Sequence, residues 1–310
     1  MASHSVSAFQ ITVRNPAIKG RDKSSPLDSI TVKGRSYDFL DLLEKFLAVH
    51  SAGYKTFLVN QSNKLVKVLG VQRKKGGRDI SCYVAQGTFG VPGDIISSRS
   101  LRSTHKKQAE ESDVAEFYAQ FRVPTKSKVG FVILHSIGNA SVKSWLSDQL
   151  GVWINNQLSG CAVSIRPLCS KIALRTYLKE AEVRAIRITH FEPNLATDVA
   201  DYLLDDKVEK TLLLKREGGF GRLIPFLGKG KKREQLVALS DEHCTAVKAD
   251  VTFNGRNRTI SLEGSKDPKA KFYLSEPDTK FHDGLPTRAS ISIYATGLLD
   301  DLGNEVSAGN

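Results

Sequence analysis

A chain of 310 residues with 40% hydrophobic and 25% charged side chains has the composition of a globular protein, not of a disordered one. No apolar run approaches the ~18 residues that cross a bilayer as a helix, and the first twenty residues show neither a basic n-region nor an apolar h-region, so a cytoplasmic protein without membrane insertion is expected. The net charge is +12, from 45 Lys and Arg against 33 Asp and Glu, and an excess of that size seeks a polyanion.

In chain order, Val6–Val13 alternates as a strand that ends at Asn15-Pro16. Tyr37, Phe39, Leu40, Leu42, Leu43, Phe46 and Leu47 recur at three and four, predicting an amphipathic helix capped by Ser36 and closed near Gly53. Thr56–Val59 and Leu65–Leu69 flank the turn formers Asn60 to Asn63 as a hairpin. Asp79–Ala85 reads as the next strand. Val114–Val123 and Val129–His135 form a second hairpin around Pro124–Lys128, and Gly87–Asp113 reads as a long loop with some short structure.

A helix is predicted over Ala140–Leu158, capped by Asn139, with Val142, Trp145, Leu146, Leu150 and Trp153 as a core stripe. Strands at Ala162–Leu168, Val183–Phe191 and Lys210–Lys215 alternate with helices at Lys171–Glu180 and Leu195–Leu204. Beyond them come strands at Cys244–Phe253, Arg258–Leu262, Lys271–Leu274 and Ala289–Ala295, with Asn254-Gly255 as a hairpin turn and a frayed end from Asn304. The fold class expected is α+β, with mixed β-sheets, several amphipathic helices and a strand-rich C-terminal region. A domain boundary near Gly218, where charge and composition shift together, divides 1–217 from 218–310.

The cations arrive in three clumps: Arg73, Lys74, Lys75 and Arg78; Arg99, Arg102, Lys106 and Lys107; and Lys215, Arg216, Arg222, Lys229, Lys231, Lys232 and Arg233. All fifteen are candidate nucleic-acid contacts, because each neutralised phosphate releases condensed counterions. The reading requires that they converge into one continuous cationic surface. Gly218-Gly219-Phe220-Gly221 and Gly228-Lys229-Gly230-Lys231 fit neither the P-loop nor the dinucleotide fingerprint, which leaves flexible amides beside cations as their only phosphate chemistry.

No catalytic residue, metal site or cofactor is assigned. Cys82, Cys161, Cys169 and Cys244 lack C-x-x-C spacing and read as small buried hydrophobes. His50, His135 and His190 have no sequence-local partner for base chemistry. A nuclease effector would have to gather dispersed carboxylates, of which Asp198, Asp201, Asp205 and Asp206 are the densest group. Arg166, Arg184 and Arg187 are expected to pair with nearby acids.

The order of Lys19-Gly20-Arg21-Asp22-Lys23-Ser24, a helix, Tyr54–Val59, Gly130-Phe131-Val132, a second helix and Val163-Ser164-Ile165-Arg166-Pro167-Leu168 resembles the RexA-type phage-exclusion proteins. It is similar, more distantly, to the KwaB-type anti-phage defence subunits. The resemblance covers about the first two thirds of the chain and carries over no functional residue by motif. It implies sequence-tolerant binding of double-stranded DNA, self-association as a homodimer, a defence-system partner protein and a role against phage. A nuclease, or a regulatory subunit that meets an acidic protein partner, are the alternatives.

Overall fold

The computed structural model describes residues 3–19, 23–73, 76–168, 182–192, 208–222, 244–253, 256–261, 271–275 and 278–308. The fold class is α+β and strand-rich, in two compact units. The first unit is Ala8–Arg166; the second is Pro167–Asn310 together with Ser3–Ser7. Gly218 lies inside the second unit, in a turn between two of its strands, some fifty residues beyond the observed division.

Strand β1 (His4–Arg14), which enters the first unit at Ala8, is followed there by the small hairpin β2 (Ile30–Val32) and β3 (Arg35–Tyr37) and then helix α1 (Phe39–Val49). Strands β4 (Lys55–Val59), β5 (Ser62–Arg73) and β6 (Asp79–Thr88) follow. A separate ribbon of β7 (Gly93–Ile96) and β8 (Ser103–Lys107) leads to β9 (Asp113–Arg122), β10 (Gly130–Ile137), the short β11 (Ala140–Ser141), helix α2 (Lys143–Gln157) and β12 (Ala162–Pro167). The sheet runs β1-β10-β9-β6-β5-β4, with β11 beside β10 and β12 beside β1.

Helix α1 begins at Asp38, whose carboxylate accepts from the Leu40 amide at 2.8 Å; Ser36, the expected cap, belongs to β3. Aspartate at that position also faces the positive end of the helix dipole. The predicted spacing holds, for Phe39, Leu40, Leu42, Leu43, Phe46 and Leu47 are all buried. They meet alternate residues of the sheet, among them Val66, Val68, Ile80, Val84, Phe117, Phe121, Val132 and Leu134, and the α2 residues Trp145, Leu146, Leu150 and Ile154. Alternation along each strand is what delivers one apolar face to that core. Helix α2 starts three residues later than its pattern suggests, because Ala140 and Ser141 pair with β10; Asn139 is therefore not its cap.

The β4–β5 turn is tighter than the four polar residues imply. Val59 pairs with Ser62, and Asn60 and Gln61 both take positive φ (48° and 62°). Two left-handed residues in sequence match the twist of a hairpin. Gly87 in β6 meets a different demand: a Cβ there would overlap Ser112 Oγ and sit 2.5 Å from the Asp113 carbonyl oxygen. Gly87→Ala is expected to destabilise the protein by about 1–3 kcal/mol, read as a lowered urea midpoint at unchanged slope.

The second unit contains β13 (Glu182–Glu192), β14 (Val208–Lys215), β15 (Gly221–Arg222), β16 (Cys244–Phe253), β17 (Arg256–Ser261), β18 (Lys271–Tyr273), the two-residue pair β19 (Phe281–His282) and β20 (Leu285–Pro286), and helix α3 (Arg288–Ala308). Its strands run antiparallel in the order β14-β13-β16-β17-β18, with Ser5–Ser7 of β1 paired to β18 and β15 paired to β13. The helices predicted over 171–180 and 195–204, and the Asn254-Gly255 turn, lie outside the described residues.

The expected strand at Ala289–Ala295 is instead the start of α3. Ile291 and Ile293 alternate, but the longer window decides. Ile291, Tyr294, Ala295, Leu298, Leu299 and Leu302 are buried at helical spacing, whereas Ile293 is 74% exposed. Thr287 precedes the helix, and its hydroxyl accepts from the Ser290 amide at 3.4 Å. The helix continues to Ala308.

Candidate nucleic-acid interface

The described members of the first basic clump, Arg73 and Arg78, stand at one end of β5 and β6 and are both paired with acids. Arg73 Nη1 holds Asp41 at 2.7 Å and Glu44 at 2.6 Å, so the first turns of α1 supply the carboxylates that raise its pKa further. Arg78 forks onto Asp38, the helix cap, and its Nε donates to the Val123 carbonyl at 2.7 Å. Arg122 beside them grips Asp79 with two nitrogens at 2.8 and 2.7 Å. These arginines tie the helix and β9 to the hairpin ends; bidentate, half-buried pairs of this kind fix geometry. Lys74 and Lys75 lie outside the described residues.

The second clump occupies the β7–β8 ribbon, within the segment read from sequence as a loop. Its strands pair Gly93↔Lys107, Asp94↔Lys106, Ile95↔His105 and Ile96↔Ser103, with a bulge between the last two pairs. Arg99, Arg102 and Lys106 are exposed, and no ion pair holds any of them among the described residues. Lys107 differs, since its ammonium meets Asp113 at 3.2 Å and its side chain is only 17% exposed. Glu111 accepts from the Gln108 amide and pairs with His105 at 2.7 Å, which fixes the base of the ribbon.

The two clumps do not merge. The ribbon leaves the sheet where Thr88 pairs with Asp113, while Arg73 and Arg78 stand at the end where Asp79 pairs with Arg122. Ten residues of β6 separate those ends, about 30 Å at strand rise. Among the described residues of the first unit, Arg73 and Arg78 brace α1, Lys107 pairs with Asp113, and Arg99, Arg102 and Lys106 are the clump members that no ion pair holds.

In the second unit, Lys215, Arg216 and Arg222 are exposed around the β14–β15 turn, while Lys229, Lys231, Lys232 and Arg233 lie outside the described residues. The glycines of that turn serve the backbone. Gly218, Gly219 and Gly221 have φ near +76° to +79°, and a Cβ on Gly219 would come within 2.8 Å of the Val183 carbonyl oxygen. The Gly219 amide donates to Arg216 O at 2.9 Å and the Phe220 amide to Val183 O at 2.7 Å. Those two amides are therefore committed within the turn, and the exposed charge beside them is that of the side chains. Arg184 and Arg187 pair with Glu182 and Asp250 at 3.1 and 2.8 Å, as their neighbours suggested.

The remaining candidates for chemistry are packed. Cys82 is a buried free thiol whose burial pushes its pKa up to about 12, and Cys161 is buried and raised for the same reason. Neither forms thiolate at neutral pH, so both are inert. Asp198, Asp201, Asp205, Asp206 and Cys169 lie outside the described residues, and no cluster of three or more metal-ligating side chains occurs among the described ones.

His135 is buried, with its ring 6.1 Å from Phe117. His50 stands in an aromatic box of Phe46, Phe57 and Trp145, and its Nδ1 donates to the Phe46 carbonyl at 2.8 Å. Burial pushes the His50 imidazole below its ordinary 6.5; the Phe46 bond opposes that shift and Lys55 adds to it. Folding therefore excludes a proton that the unfolded chain accepts. His50 contributes full stability above pH 6.5 and loses it as pH drops through the lowered folded value. His4 shifts in the same direction, again by burial. The expected result is that wild-type protein loses more stability between neutral pH and pH ~5 than His50→Gln does, measured by urea unfolding.

No helix among the described residues is long and apolar enough to cross a membrane. No family model matches this chain, and no curated protein is significantly similar to it.

Proposed function

We propose that this chain is a sequence-tolerant, non-enzymatic nucleic-acid-binding protein whose ligand is double-stranded DNA. Phosphates are held by Arg99, Arg102 and Lys106 of the β7–β8 ribbon, while Lys215, Arg216 and Arg222 offer exposed cations within the second unit. The observation that carries the reading is the ribbon itself: a projecting pair of strands with three exposed cations that no carboxylate among the described residues occupies. Long cations on such a support reach a phosphate backbone without reading bases.

Arg73, Arg78 and Lys107 drop out of the interface on this account, since their charges already meet acids. The resemblance to phage-exclusion proteins supports the biological role proposed here, a cytoplasmic homodimer acting in anti-phage defence. Strand β14, which among the described residues stands at one end of its sheet beside β13, is the element we assign to self-association by strand addition.

Titration of duplex DNA, single strands and RNA at two salt concentrations tests the reading. Duplex binding should fall about 40-fold between 50 and 200 mM salt if the three ribbon cations contact phosphates. Salt-independent binding, or capture of an acidic protein with indifference to DNA, would overturn it.

A further inference from the structure

The tip of the β7–β8 ribbon carries an unusual residue. Leu101 is 79% exposed and has φ +53°, a left-handed conformation that bulky side chains rarely take. Local bonds hold it there: the Leu101 amide donates to Ser97 O at 2.8 Å, the Ser97 amide to Arg102 O at 3.0 Å, and the Ser100 amide to Ser97 Oγ at 3.3 Å. Nothing in the hydrophobic core of the unit includes this side chain. The fold therefore holds an apolar group outward, in a costly backbone conformation, between Arg99 and Arg102. Ser98 and Ser100 complete the tip with small polar side chains.

A leucine at the end of a cationic two-stranded ribbon has the chemistry of a minor-groove wedge. Guanidiniums on either side hold phosphates, the narrow ribbon follows the groove, and the apolar side chain slides between two base pairs and unstacks them. We propose that Leu101 enters a base step of duplex DNA from the minor groove and kinks the helix axis, with Arg99 and Arg102 holding the flanking backbone. The inference rests on the phosphate-binding reading above and names what the same ribbon does once bound. Cationic charge suits an anionic lipid surface as well as duplex DNA. Ile95 and Ile96 on β7 are exposed too, and Leu101 is set apart from them by its place at the turn between Arg99 and Arg102, where one apolar side chain is enough to open one base step.

Fluorescence transfer between the labelled ends of a short duplex reads the bend, and fluorescence anisotropy on the same duplex reads affinity. Wild-type protein should shorten the end-to-end distance by the amount that a kink of about 20–90° requires. Leu101→Ala should still bind but leave the duplex straight, and Leu101→Phe should restore the bend. Leu101→Gly, which accepts the positive φ freely, should raise the urea midpoint while abolishing the bend, so that loss of bending is not read as loss of folding.

A wild-type complex with straight DNA, or an unchanged bend in Leu101→Ala, would overturn the wedge and leave the phosphate reading standing. Absence of any duplex binding would overturn both. Leu101-dependent binding to phosphatidylserine vesicles without DNA bending would assign the tip to a membrane surface and overturn the wedge.

Discussion

Trp145→Ala is expected to lower the stability of the Ala8–Arg166 unit by about 3–5 kcal/mol, the cost of emptying a large aromatic site in a packed core. Trp145 is 0% exposed and lies 5.8 Å from the Phe46 ring, 5.5 Å edge-on from His50 and 6.1 Å edge-on from Phe57. It therefore joins α2 to α1 and to β4, and those rigid rings cannot collapse into the void. Its indole nitrogen is buried with no hydrogen-bond partner among the described residues, so packing dominates the effect. Trp145→Phe should accordingly recover most of the loss. Urea unfolding followed by circular dichroism measures both; a loss under about 1 kcal/mol for the alanine variant would mean that this face of α2 is not core.

The second large effect is on binding. Replacing Arg99, Arg102 and Lys106 together by alanine should weaken duplex DNA binding about a hundredfold near 0.15 M salt, on the basis of counterion release at three phosphates. All three are exposed and none braces the fold, so the variant should unfold at the wild-type urea concentration. The contrasting pair is Arg73→Ala with Arg78→Ala. These guanidiniums are held by Asp38, Asp41 and Glu44 at the far end of the sheet. Their removal should cost stability, by releasing the α1 cap, and leave affinity unchanged. Equal weakening of affinity in both variants would show that the clumps act as one surface after all.

Much of the first unit was legible in the sequence because its patterns are long. Eleven residues of α1 present one apolar stripe, and the Val114–His135 hairpin falls where alternation and Pro124 place it. The reading failed where short windows compete. Ser-Ile-Ser-Ile over 290–293 alternates like a strand, yet the leucines at 298, 299 and 302 set a helical period that four residues cannot reveal. Caps moved for a related reason: Asp38 and Thr287 act through a single side-chain oxygen each, and Ser36 and Asn139 are equally able to do so in sequence.

The candidate interface was half legible. Clustering of Lys and Arg along the chain says nothing of which carboxylates approach from elsewhere. Asp41 and Glu44 lie about thirty residues from Arg73, and only the docking of α1 brings them to it. The ribbon was hidden for the opposite reason. Its strands bury almost nothing, so Gly93–Lys107 lacks the apolar alternation that marks a strand, and the positive φ at Leu101 has no sequence signal. Gly218, Gly219 and Gly221 invited a phosphate-loop reading, but their positive φ and the close approach of Gly219 to the Val183 carbonyl give them a backbone role in the turn.

The most direct measurement compares the salt dependence of duplex binding between wild-type protein and the Arg99→Ala, Arg102→Ala, Lys106→Ala variant. If the ribbon cations neutralise phosphates, the slope of log K against log salt should be shallower in the variant by about 2.7, or 0.9 for each phosphate no longer neutralised. Parallel slopes for the two proteins would contradict the account, whatever their affinities.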